Sequence, residues 1–116
     1  MITIWNETTE IRGALRNLAR KYPIKNAVLM EAIHPIEKGV RGGKQYVCNK
    51  CGLNFPLKDV QVDHIEPVIP VDREIEKWDE YIDRLFCGPE ELQVLCKECH
   101  VVKSNRENEE RKNNGF

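Results

Sequence analysis

The chain has 116 residues, 41% hydrophobic and 32% charged, with a formal net charge of −1. That composition describes a single folded domain, 1–116; it excludes a disordered polyelectrolyte, and no apolar run nears the roughly 18 residues a membrane span needs. The charge is uneven: residues 11–47 carry eight basic and two acidic side chains, residues 48–116 ten and fifteen, and a phosphate backbone responds to local asymmetry rather than to the total.

Residues Met1–Glu7 lack the basic segment and long apolar core of a secretory leader. The expected setting is therefore a reducing cytoplasm, where paired cysteines hold metal rather than form disulfides. A domain this small buries a limited core and gains from such a metal. Residues 7–22 read as an amphipathic helix, with Ile11, Leu15 and Leu18 as its apolar stripe. Arg12, Arg16 and Arg20 recur every four residues along one side of it, a row suited to phosphates. Pro23 starts a second helix that runs to about Ile33 and ends at His34-Pro35.

Residues 37–44 read as a flexible basic loop carrying Lys38, Arg41 and Lys44 among three glycines. Gln45–Cys48 is a short strand entering a Cys-x-x-Cys-Gly turn, where Gly52 suits a left-handed backbone. Asn54–Leu57 and Val60–Ile65 read as strands, and Pro67 and Pro70 stop the run. Asp72–Phe86 is expected to be helical, with Ile75, Trp78, Ile82 and Leu85 on one face and acidic residues on the other. Leu92–Leu95 forms a strand, and a last helix begins within Cys96–Cys99 and reaches about Lys112.

Cys48/Cys51 and Cys96/Cys99 are two Cys-x-x-Cys pairs, the sequence form of a tetrahedral zinc site. Each turn presents two sulfurs to one ion, and the long interval between the pairs places folded structure there. A thioredoxin-like redox pair would stand alone in a βαβ unit, which this chain lacks. A haem-attachment reading of Cys96-x-x-Cys99-His100 would require export and would leave the first pair unexplained. Cys87, the fifth thiol, reads as a small buried apolar residue.

Asp63-His64 closes an alternating strand, so the two side chains point to opposite faces unless the chain bends. A carboxylate is a hard ligand suited to Mg²⁺ or Mn²⁺, and an imidazole takes a proton from water near neutrality. His100 follows a thiol ligand at a helix start. Neighbouring helical residues point about 100° apart, so His100 is expected to serve a different metal from the one the four thiols hold. Lys103, one turn on, shares its face and is in reach of a phosphate.

Val62-Asp63-His64-Ile65, Glu90-Glu91-Leu92-Gln93-Val94-Leu95-Cys96 and Cys99-His100-x-x-Lys103-Ser104 resemble the HNH endonucleases, especially small phage-encoded ones with a four-Cys zinc site. The resemblance covers about residues 45–106, with a weaker likeness of residues 11–16 to the leader helix of such proteins. It implies an α+β fold: a treble-clef-like ββα-metal core over 45–112, two N-terminal helices over 7–33 and an inserted acidic helix. It also implies cleavage of DNA phosphodiester bonds, by nicking or double-strand cutting, to a 5′-phosphate and a 3′-hydroxyl. His64 would be the general base, and Asp63 and His100 would hold a catalytic Mg²⁺, Mn²⁺ or Ni²⁺, beside structural Zn²⁺ on Cys48, Cys51, Cys96 and Cys99. Glu91 stands where the family carries its middle Asn, the residue that orients the base; an ionised Glu accepts but cannot donate a hydrogen bond. DNA is the implied partner, through Arg12, Arg16, Arg20, Lys38, Arg41, Lys44 and Lys103, with phage packaging or recombination proteins as further ones and no membrane. The alternative is a non-catalytic zinc module that binds DNA or protein.

Overall fold

A computed structural model of the protein describes residues 7–115; the segment Met1–Asn6, which bears on the leader reading above, lies outside the described residues. The fold is mixed α+β, with four helices and two small antiparallel sheets among the described residues. Helices α1 (Glu7–Ala19) and α2 (Pro23–Glu31) lead into a three-stranded sheet of β1 (Ile33–Lys38), β2 (Lys44–Val47) and β3 (Asn54–Phe55). Strands β4 (Val60–His64) and β5 (Leu92–Cys96) form a two-stranded ribbon, and α3 (Trp78–Leu85) lies in the connection between them. Helix α4 (Lys97–Asn113) follows β5 directly and packs back on the ribbon. No helix among the described residues is long and apolar enough to cross a membrane.

Strand β5 is nearly all apolar because both its faces are covered, by α2 on one side and α4 on the other. Leu92 and Val94 enter a core with Val28, Tyr46, Val60 and Cys87. Leu95 turns the other way and packs with Cys48 and Cys96. Cys87 is buried, as its reading as a small apolar residue expects.

Three elements differ from the sequence reading. The segment read as a loop over 37–44 is partly a hairpin: β1 pairs with β2 through Ile33↔Tyr46 and Lys38↔Lys44, with a bulge between, and only Gly39–Gly43 turn. Pro35 is tolerated because β1 is an edge strand. The apolar stripe of α1 is rotated: Leu18 is 59% exposed, whereas Ala19 is 1% exposed and packs with Leu15 on Tyr81 and Leu85 of α3. A small Ala side chain lets the two helices approach, and Arg12, one turn before Leu15, lies over the Tyr81 ring at 5.4 Å.

The third difference is α3, expected from Asp72 and starting only at Trp78. Residues 72–77 carry five charged side chains, and Arg73 reaches forward to grip Glu80 in a two-pronged ion pair instead of extending the helix. Tyr81 and Leu85 form its buried face, with Trp78 edge-on to Tyr81 at 5.8 Å between ring centres. Arg84 donates to the Val68 carbonyl at 2.8 Å and to that of Pro67, and Arg111 of α4 donates to Ile69 at 2.7 Å. Those arginines give the irregular 66–77 segment partners it cannot find in a sheet.

Candidate functional site

The four paired cysteines meet at one end of the ribbon. Cys48 follows β2, Cys96 ends β5 opposite Val60, and Cys99 sits in the first turn of α4. The knuckle between Cys48 and Cys51 is closed by Gly52 N–H donating to Cys48 O at 2.9 Å, with Gly52 at φ 76°, the left-handed geometry its position called for. Asn49 N–H donates to Val94 O at 2.8 Å, which stitches the knuckle onto β5.

All four sulfurs lie within 4.8 Å of one another. Thiolates bound to zinc at about 2.3 Å stand about 3.8 Å apart in a tetrahedron, so the cluster fits one such ion with little movement. Burial pushes the Cys48 thiol up, but N–H groups of Cys51, Cys96 and Lys50 outweigh it and hold it at about 6. Cys99, hydrogen-bonded to the neighbouring sulfurs with Cys96 first, is pushed up to about 12. A soft divalent cation binds thiolates, so occupation of this cluster would release the protons its thiols still carry. The four cysteines are therefore positioned to hold a metal ion, in keeping with a structural zinc.

The Asp-His dyad stands at the opposite end of the ribbon, and the strand's alternation separates its members. Asp63 faces α4. Its Oδ1 lies 3.6 Å from His100 Nε2, and its Oδ2 accepts from Gln93 Nε2 at 3.0 Å and forms an ion pair with Lys103 Nζ at 3.1 Å. Lys103 also donates to His64 O at 3.0 Å and to Glu107 at 2.6 Å. Asp63, Lys103 and Glu107 are each close to nine-tenths buried, so this is an interior ion network rather than a surface pair.

His64 faces the connection instead. Its Nε2 lies 3.0 Å from the carbonyl of Leu85, at the end of α3. A carbonyl can only accept, so Nε2 carries the proton and Nδ1 of the neutral ring keeps a free lone pair. The imidazole borders a cavity of about 200 Å³ with Ile65, Glu66, Arg84, Cys87, Glu90 and Glu91. Glu91 lines that cavity with its side chain exposed, and its backbone carbonyl accepts from Ile65 N–H at 3.0 Å. Ile65 also borders the groove of about 430 Å³ beside Lys103, Lys50 and Arg106, so one corner joins the two faces of the dyad.

The basic residues singled out in the sequence are dispersed. Arg16 is exposed on α1 and Arg20 is exposed just past its end, while Arg12 is half-buried against Tyr81. Lys38 and Lys44 stand across from each other at the mouth of the β1–β2 hairpin, and Arg41 lies in its exposed turn. Lys103 is committed to Asp63 and Glu107. Three contributors were missed in the sequence. Gln93 pairs directly with Asp63 across the ribbon, and a polar residue amid Leu92, Val94 and Leu95 was its signal. Glu107 sits four residues beyond Lys103, the spacing of a helical ion pair. The Leu85 carbonyl leaves no mark in a sequence.

No family model matches this chain, and no curated protein or solved structure is significantly similar to it.

Proposed function

We propose that the protein is a metal-dependent endonuclease of the HNH kind that hydrolyses DNA phosphodiester bonds. The observation that carries the reading is the 3.6 Å approach of Asp63 Oδ1 to His100 Nε2. Two donors each about 2.1 Å from one hard cation are separated by about 3.0 Å at a right angle and farther at wider angles, so this pair fits one ion. In this reading β4, β5 and α4 are the ββα-metal core, and the four-thiol cluster fixes where α4 begins. A bound Mg²⁺, Mn²⁺ or Ni²⁺ would supply Lewis-acid charge to the phosphate and to the departing 3′ oxygen.

The chain's own groups do the rest. Leu85 O holds the His64 Nε2 proton, which leaves Nδ1 to take a proton from the attacking water. The water oxygen bonds to phosphorus, the bond to the 3′ oxygen breaks, that oxygen takes a proton from solvent water, and the products carry a 5′-phosphate and a 3′-hydroxyl. Asp63 and His100 set the position of the phosphate relative to that base. Arg16, Arg20, Lys38, Arg41 and Lys44 add phosphate contacts that give affinity without reading sequence, with packaging or recombination proteins as candidate partners.

The test is incubation of supercoiled plasmid with the purified protein and Mg²⁺, Mn²⁺ or Ni²⁺, beside His64→Ala. Nicking by the wild type that falls by at least about a hundredfold in the variant is the expected result. No nicking with any metal, or equal nicking by both proteins, overturns the reading. A non-catalytic zinc module is favoured by one observation: the Lys103 ammonium rests on Asp63 at 3.1 Å, a cation the protein supplies itself. On that reading Asp63 takes no divalent ion.

A further inference from the structure

The two oxygens of Asp63 are treated differently. Oδ2 accepts from Gln93 Nε2 and is ion-paired with Lys103 Nζ, while Oδ1 faces His100 alone among these groups. Gln93 is itself held: its Oε1 accepts from Asn49 Nδ2 at 3.0 Å, and Asn49 lies between the thiols of the first knuckle. The polarity of this chain of amides is forced. A carboxylate only accepts, so Gln93 must turn its NH₂ toward Asp63 and its carbonyl toward Asn49, and Asn49 must donate.

We propose that Gln93, keyed by Asn49, is a positioning residue that ties up one oxygen of Asp63 and reserves the other for a divalent cation shared with His100. Through Asn49 the thiol cluster and the cation site are mechanically joined, so a structural ion at one end of the ribbon sets the ligand geometry at the other. The proposal rests on the reading of Asp63 and His100 as cation ligands, and goes beyond it by naming what orients them. Partners that orient a metal ligand through a hydrogen bond typically carry a 10- to 100-fold effect on affinity.

The discriminating substitution is Asn49→Asp, at an exposed position that leaves the core untouched. A carboxylate there cannot donate, so the Gln93 amide turns to give its NH₂ to residue 49 and presents its carbonyl to Asp63. Added negative charge ordinarily strengthens cation binding nearby; here affinity should fall instead. The measurement is Mn²⁺ binding to zinc-loaded protein, followed by the paramagnetic signal of free Mn²⁺, with zinc content and melting temperature recorded alongside.

We expect Asn49→Asp and Gln93→Leu each to weaken Mn²⁺ binding by about tenfold or more with zinc retained. Because the Asn49 amide acts through Gln93, adding Asn49→Asp to Gln93→Leu should weaken binding no further, leaving only the small strengthening its added charge brings. Should Gln93→Leu fail to fold, Asn49→Asp decides alone. Wild-type affinity in Asn49→Asp, or tighter binding, overturns the proposal and leaves the nuclease reading standing. Absence of Mn²⁺ binding by the wild type at a single site overturns both.

Discussion

The β4–β5 ribbon ends in two different chemistries. Where Val60 meets Cys96, four sulfurs of one kind converge on a common centre, and every donor a tetrahedral ion needs is supplied by the chain. Where His64 meets Leu92, a carboxylate, two imidazoles and an ammonium diverge onto two faces, bordered by a cavity and a groove. Helix α4 starts at the first end and runs back along the ribbon toward the second, so of the consecutive residues Cys99 and His100 the first joins the sulfurs and the second faces Asp63. The contrast teaches how a small domain can tie two unlike ends together: α4 starts at the four-sulfur end and packs along the ribbon that carries the other.

The largest effect should come from breaking the saturated end. Cys99→Ser, or a strong chelator, should unfold much of the domain, read as loss of far-ultraviolet helical signal, because structural zinc in small domains supplies roughly 10–16 kcal/mol of apparent binding energy. Retention of full helical signal without metal would show the thiol end to be dispensable. Next is the support beneath the open end. Tyr81 is 1% exposed between α1 and α3, and Tyr81→Ala should cost about 3–5 kcal/mol in denaturant unfolding while zinc stays bound. Zinc loss at that substitution would mean that the two ends unfold as one.

Lys103→Met should cost about 1.5–3 kcal/mol, since it leaves two buried carboxylates without their shared cation. A neutral result in the same unfolding assay would reduce the ion network to a surface decoration. The smallest effect belongs to Arg73–Glu80, at the exposed edge of the connection. Arg73 holds the Glu80 carboxyl below the usual carboxylate range, chiefly by hydrogen bonding. A depressed carboxylate contributes stability above its unfolded pKa and loses it as pH falls through the folded value. Arg73→Ala should therefore lower the melting temperature slightly at neutral pH, and that difference should shrink as pH falls through the folded value.

Much of this contrast was legible in the sequence. Spacing alone marks Cys48, Cys51, Cys96 and Cys99 as one cluster, because Cys-x-x-Cys is a local geometry that survives any tertiary arrangement. Strand alternation likewise foretells that Asp63 and His64 face apart. What escaped reading depends on long-range packing. The rotation of α1 onto Ala19 is decided by packing on Tyr81, and the segment before α3 finds its partners in Arg84 and Arg111, both far from it in sequence. The Leu85 carbonyl that holds His64 belongs to the backbone, which carries no sequence signature, and Gln93 stands in a strand whose pattern is dominated by its apolar residues.

The central claim is that Cys99 and His100, adjacent in the chain, serve two separate centres. Metal analysis of purified His100→Ala, beside the wild type, tests it most directly. Both proteins should hold the same one tightly bound zinc per chain. Loss of that zinc from His100→Ala would place the histidine in the thiol site and contradict the division on which the account stands.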